Sequence, residues 1–318
     1  MKILLPESRL NFLLAPLASC QICPRNCGAD RLGGQTGICS SGAGFDISSI
    51  CIHSGEEPAI IGNTGICNVF FSHCNLSCVY CQNYQISSNQ PEKRGNLMEF
   101  GEVVHSIIKI LDSGCKAVGF VSPTHFIPQV KAIIEELRLH GYNPIFVYNT
   151  NGYDKVEEIR LLENYINIYL PDYKYSDNNL ARKLSKVPDY KQTALQAIKE
   201  MYRQKGSTLI INEDGYAENG LIIRHLVLPG HIENSLGVLR DIADISTSIA
   251  ISLMAQYFPT PAMKNHATLN RTLTADEYNI VKNELEYLGF YKGWAQELES
   301  NESYRPDFES DKPFMEQF

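Results

Sequence analysis

From residue 66 onward, short apolar runs alternate with longer stretches in which apolar residues recur every three or four positions. Residues 66–72 (Ile-Cys-Asn-Val-Phe-Phe-Ser) predict a buried strand, and so do 117–121, 144–148, 166–170, 221–228 and 249–255. Between them the helical spacing predicts helices over 103–111, 127–139 (closed by Gly141), 154–164, 190–205 (ended by Gly206) and 235–245. Thr274 caps a last helix through Leu288, with Glu277 completing a capping box. Six strands separated by helices predict parallel βα units, and a partial (βα)6 TIM-like barrel and a doubly wound sheet both fit. In either, chemistry sits on the loops after the C-terminal strand ends. The polar clusters fall there: Cys74–Cys81, Ser122–His125, Asn149–Asn151, Asp172–Lys174, Pro229–His231 and Gln256–Tyr257. Residues 1–60 differ, being rich in Cys, Gly and Ser with little periodicity, and the chain from Glu297 reads as a polar surface extension. The expected organisation is an extension over 1–64, a catalytic core over 65–295 and a tail over 296–318.

The charge and composition narrow the function. A formal net charge of −8 lacks the basic footprint of a general nucleic-acid binder. No apolar run approaches the ~20 residues that span a bilayer, and the first residues are too soon polar for a signal peptide. A cytoplasmic location is expected. Of ten cysteines, nine lie within the first 81 residues. In a reducing compartment that clustering favours metal or cluster ligation over disulfides.

The strongest local signal is Cys74-Asn-Leu-Ser-Cys78-Val-Tyr-Cys81, directly after a predicted strand. Thiolates are soft ligands that suit iron–sulfur clusters. Three of them on a four-iron cluster leave one iron without a protein ligand, the open position a reactive site needs. A zinc knuckle with His73 as fourth ligand competes, although two adjacent ligands would strain the loop.

This run resembles the signature of the radical S-adenosylmethionine (SAM) superfamily. The resemblance implies a 4Fe–4S cluster on Cys74, Cys78 and Cys81 whose open iron chelates SAM. One electron then splits the sulfonium and yields a 5′-deoxyadenosyl radical that abstracts hydrogen. Tyr80 holds the aromatic position before the third cysteine, where the backbone lies against adenine. Asn149-Thr150-Asn151-Gly152, Asp172-Tyr173-Lys174, and Arg224 before Val227-Leu228-Pro229-Gly230 are similar to landmarks of the pyruvate formate-lyase activating enzyme branch. By that resemblance Asp172, Lys174 and Arg224 meet SAM. Lys174 can pair the SAM carboxylate and Asp172 can offset the cations; a surface charge pair and a structural salt bridge are the plainer readings. Asn149 stands where the branch has an Asp of a cation site. Ser122-Pro123-Thr124-His125 replaces its Gly-Gly-Glu loop, and Phe258 replaces a His. Ser122, Thr124, Asn149 and Asn151 complete the expected cofactor contacts. His125 and His231 are weaker candidates.

Cys20, Cys23, Cys27 and Cys39 form a further set, similar to the N-terminal extension of the activase-like PflX-type branch, as are Asp30-Arg31-Leu32-Gly33-Gly34 and Glu56-Glu57-Pro58. They could hold a structural zinc or a second iron–sulfur cluster, or be buried free thiols. Cys51, Cys67 and Cys115 read as packed thiols, and Glu56 and Glu57 as a solvated loop near the mouth. The expected activity is radical SAM chemistry, with a glycine of a partner enzyme as one target and a peptide or small metabolite as another. The resemblance also implies a flavodoxin- or ferredoxin-like electron donor. A metal-stabilised binding or electron-transfer protein is the reading from another class.

Overall fold

The predicted strands line up in sequence order at the centre of one sheet. The computed structural model describes residues 2–90, 96–303, 305–310 and 313–314. Among these residues the strands are β1 (Phe45–His53), β2 (Ile66–Phe71), β3 (Leu97–Met98), β4 (Ala117–Val121), β5 (Ile145–Thr150), β6 (Ile168–Pro171), β7 (Ile210–Ile211), β8 (Ala217–Leu226), β9 (Ala250–Met254) and β10 (Gly293–Ala295). The sheet order is β10-β9-β8-β6-β5-β4-β2-β1-β3, with β7 paired to β8. From β2 to β10 neighbours along this path run parallel; β1 pairs antiparallel with β2 and carries β3 at the edge. A doubly wound sheet reverses its strand order at a switch point. Here the order does not reverse along the parallel strands from β10 to β2, so the winding is that of a barrel, left open because β10 does not pair with β1. The fold is α/β, a partial barrel.

Side chains alternate between the two faces of a strand, and that period allocates every residue on the rim. Val118, Phe120, Phe146, Tyr148, Tyr169, Ile223, Ile251 and Leu253 join the larger core, in which helices Phe100–Asp112, Ile127–Leu139 and Tyr190–Lys205 bury Val103, Ile107, Ile133 and Ile198. The intervening Ala117, Val147, Ile168, Leu170, Ile222 and Ala250 form a second apolar layer on the inner face. Continuing by twos from that layer gives Asn149 and Asn151, Asp172 and Lys174, Arg224, and Ser252, Met254 and Gln256. All of these line one cavity.

Several elements escaped the periodicity. Helix Glu7–Leu14, strand β1 and helix Asn178–Ser185 lie where no element was expected. The chain after Glu297 is not merely a polar extension. Phe308 meets Phe70 edge-on at 5.1 Å, Phe314 lies tilted against it at 5.4 Å, and Phe314 lies 4.1 Å from the His53 ring. These aromatic residues turn the segment onto β1 and β2. Among the described residues, no helix is long and apolar enough to cross a membrane.

Tyr190 joins the rim from the helix side. Its hydroxyl accepts from Lys174 N at 3.0 Å and lies 2.8 Å from both Asn151 O and Asp172 O, donating to one of them. One buried hydroxyl thus ties the ends of β5 and β6. Tyr190→Phe should lower unfolding stability by about 1–3 kcal/mol, the cost of leaving buried partners unmet, as measured by urea denaturation.

Candidate active site

The loop after β2 carries the three cysteines into the mouth of the cavity, which has a volume of about 590 Å³. His73 opens this loop in the left-handed region (φ 66°). Its ring faces Ser88 O at 2.7 Å and Asp46 at 3.4 Å, so both ring nitrogens have partners in the scaffold. That removes it as a substitute metal ligand.

Each thiol meets its own donor. Asn151 Nδ2 donates to Cys74 Sγ at 3.3 Å and Leu76 N does so at 3.4 Å. Ser185 Oγ donates to Cys78 Sγ at 2.9 Å, and Ser87 Oγ to Cys81 Sγ at 3.1 Å. Burial pushes the Cys74 thiol up to about 12. Burial also raises Cys78, against the pull of Lys174, to about 11. Metal ligation takes such thiols as thiolates and releases their protons. Three sulfurs, each with a hydrogen-bond donor and all facing one cavity, fit a thiolate-bound iron–sulfur cluster, whose properties such hydrogen bonds tune. Among the described residues no three Cys, His, Asp or Glu side chains gather as ligands of a single metal ion.

The same cavity holds a charge network. Arg224 Nε reaches Asp172 Oδ1 at 2.9 Å, its Nη1 reaches Glu56 Oε2 at 2.9 Å, and its Nη2 donates to Asn149 Oδ1 at 2.6 Å. Lys174 Nζ pairs with Asp172 Oδ2 at 2.7 Å. Asn149 Nδ2 donates to Glu56 Oε1 at 3.1 Å. Burial pushes the Asp172 carboxyl up, but Arg224 and Lys174 outweigh it and hold it below the usual range. Burial lowers Lys174, yet Asp172 and Cys78 carry it above its ordinary value. The pair Asp172 and Lys174 is therefore a charged element of the cavity and not a solvated surface pair.

The remaining expected residues divide. Tyr80 lines the cavity, its Oη 2.8 Å from Tyr175 Oη, which lies 2.6 Å from Ser185 Oγ, so hydroxyls connect it to the Cys78 sulfur. Ser122 also lines it, with a left-handed φ of 54°. Thr124 does not: its hydroxyl turns inward to Thr150 Oγ1 at 3.0 Å, behind the rim. His125 likewise faces Ser72 O at 3.0 Å, and burial lowers its pKa to about 3. His231 contacts Thr268 away from the cavity. Gln82 holds Phe258 through its backbone, at 3.3 and 3.4 Å.

Glu56 and Glu57 overturn the expectation of a solvated loop. Both line the cavity and are buried or nearly so, because the segment leaving β1 folds inward to meet Arg224. Ser185, Ser87 and Tyr175 were missed outright. Ser185 lies 107 residues from Cys78, and an isolated serine in a polar helix carries no signal of such a contact.

The cysteines of the extension lie against this site. Cys20, Cys23 and Cys39 are buried and Cys27 is half-buried, and all four are free thiols. Arg31, fully buried, donates to His125 O at 2.7 Å and approaches Cys20 Sγ at 3.7 Å. Arg25 donates to Asn75 O at 2.8 Å, inside the three-cysteine loop.

An open parallel sheet with three cysteines and a charged rim at its C-terminal mouth defines an enzyme class, and sequence comparison gives its family. The radical SAM superfamily profile matches residues 68–218. An uncharacterized protein of Methanocaldococcus jannaschii is 30% identical over 265 residues, covering 81% of this chain and 72% of its own. The chain belongs to the radical SAM superfamily. Membership implies an enzyme of radical chemistry that uses SAM and a 4Fe–4S cluster. Among solved structures, HydG, a maturase of the [FeFe]-hydrogenase, aligns with a TM-score of 0.52 at 13% identity, over 74% of this chain and 53% of its own. SuiB of Streptococcus suis bound to SAM aligns with a TM-score of 0.45 at 16% identity, over 71% of this chain and 48% of its own. The chain spans about half the length of these two proteins.

Asp172→Asn would leave Arg224 and Lys174 facing each other with one carboxylate removed. Its stability should fall by about 3 kcal/mol in urea denaturation, toward the low end for a broken buried ion pair because the rim is partly open.

Proposed function

We propose that this chain cleaves SAM reductively, with Cys74, Cys78 and Cys81 as the cluster ligands. When bound, the cluster and SAM supply a 5′-deoxyadenosyl radical that takes a hydrogen atom from the substrate. The observation that carries the reading is the convergence, on one cavity, of three hydrogen-bonded thiols and the Asp172–Lys174–Arg224 network. Lys174 offers its ammonium to a carboxylate, Asp172 offsets neighbouring cations, and Arg224 fixes both Asp172 and Glu56. Tyr80 and Ser122 bound the same space, and Asn151 orients the Cys74 sulfur. The inner apolar layer keeps water from the reacting atoms. The resemblance to activases supports a glycine of a partner enzyme as hydrogen donor, with reduction by a flavodoxin- or ferredoxin-like protein.

We also assign Cys20, Cys23, Cys27 and Cys39 to a second metal or cluster site. What supports this is their density in the sequence and their shared burial, with Cys27 Sγ 3.8 Å from Cys20 O and Arg31 3.7 Å from Cys20 Sγ. The N–H groups of Ile22 and Arg25 bond the Cys20 and Cys23 thiols, and burial pushes Cys23 up to about 12.

The test is anaerobic reconstitution with iron and sulfide, then dithionite and SAM, with 5′-deoxyadenosine quantified. Product should form, and Cys78→Ala should abolish both iron binding at this site and product. An intact cluster that yields none would refute the reading. Cys23→Ala should lower bound metal while leaving the iron held by Cys74, Cys78 and Cys81. Unchanged iron and zinc contents would remove the second site.

A further inference from the structure

On the wall of the same cavity, two buried polar atoms have no partner among the described residues. Oε2 of Glu57 and Nδ1 of His53 make no hydrogen bond there, although the residues are only 6% and 8% exposed. Both side chains line the cavity. Elsewhere on this wall the charges are matched: Arg224 and Lys174 face Asp172 and Glu56. Glu57 is the surplus acid. Burial pushes its carboxyl above the ordinary range against the pull of Arg224, whose own ion pairs go to Asp172 and Glu56. Burial keeps His53 neutral, leaving its ring free to share a hydrogen bond. A buried polar atom without a partner is rare in folded proteins and calls for an explanation, of which a group bound in the cavity is one.

The surroundings describe what binds. Phe70 and Phe314 line the cavity beside His53, and Trp294 lines it as well. The Phe314 ring lies 4.1 Å from that of His53 and 5.4 Å from that of Phe70. Aromatic faces attract a cationic nitrogen and accept an apolar arm, and a carboxylate supplies its counter-charge. We propose that Glu57 and His53, walled by Phe70, Trp294 and Phe314, form the subsite for a cationic nitrogen of the substrate, an ammonium or guanidinium group on an apolar arm. The inference rests on the radical SAM reading, and it names the end of the substrate held away from the reacting atoms. The group can come from a peptide side chain or from a free amine.

The experiment is calorimetric titration, without oxygen, of the reconstituted protein loaded with SAM. The probes are n-butylammonium, N-acetyl-lysinamide and, as a neutral control, n-butanol. Saturable binding of at least one cation is expected, at least about tenfold tighter than n-butanol, a gap of about 1.4 kcal/mol. Tighter binding of N-acetyl-lysinamide assigns a peptide side chain, and tighter binding of n-butylammonium a free amine. Glu57→Gln should remove that preference while SAM affinity stays the same, which shows the cavity intact. Phe314→Ala should weaken the cations by several fold. The subsite is overturned if n-butanol binds as tightly as the cations, if Glu57→Gln binds them as wild type does, or if that substitution weakens SAM instead. Wild-type protein that forms deoxyadenosine but takes no cation also overturns the subsite alone. Protein that forms no deoxyadenosine overturns the radical SAM reading.

Discussion

The guanidinium of Arg224 is the interaction on which the site depends. It sits on the inner face of β8 and reaches β6 through Asp172, β5 through Asn149, and the segment after β1 through Glu56. Backbone pairing follows the same line, for Asp172 and Arg224 form a bridge beyond the regular ladder of β6 and β8, and Tyr173 N donates to Arg224 O at 2.8 Å. A planar group with several fixed donors can hold two carboxylates and an amide at once, which a lysine cannot. Without such a partner, the carboxylates gathered on this rim would repel one another.

The network explains why the N-terminal part of the chain contributes to the cavity. Strand β1 is antiparallel to β2, so its end at His53 leaves beside the beginning of β2. The chain must then return, and Gly55, Glu56 and Glu57 do so across the inner face. There Glu56 finds Arg224, Asn68 and Asn149, and Pro58 starts a short helix that packs Ala59 and Ile60 on the inner apolar layer. The same path buries Glu57 with an acceptor unmet. On the opposite edge, the segment after β10 lays Phe308 and Phe314 on Phe70. The open side of the partial barrel is therefore walled by two segments that the repeat of strands and helices does not include.

The sulfur environment follows similar economy. Asn151 bonds Cys74 Sγ and Asn75 Oδ1, Tyr190 holds the backbone of Asn151 and Asp172, and Ser185 reaches Cys78. Gly152, with φ 80°, lies where an added Cβ would stand 2.4 Å from Asp172 O. Only glycine lets the β5 and β6 ends approach this closely while adopting that conformation.

The sequence alone determined the six central strands, the helices between them and the three-cysteine run, because periodicity and a short motif are local properties that neighbouring residues share. Helices 127–139 and 190–205 match their predicted spans, since apolar spacing and a following glycine mark both ends. Asp172 and Lys174 were also legible from their place at a strand end, and Arg224 from its resemblance to a landmark of the activase branch. Tertiary structure decided the rest. It turned Thr124 and His125 inward, carried Glu56 and Glu57 from an apparently solvated loop into the cavity, and brought Ser185 to Cys78. Each of these depends on contacts between residues far apart in the chain, where sheet order and the single cation of Arg224 set the geometry, and no local pattern encodes which distant partner a polar side chain will meet.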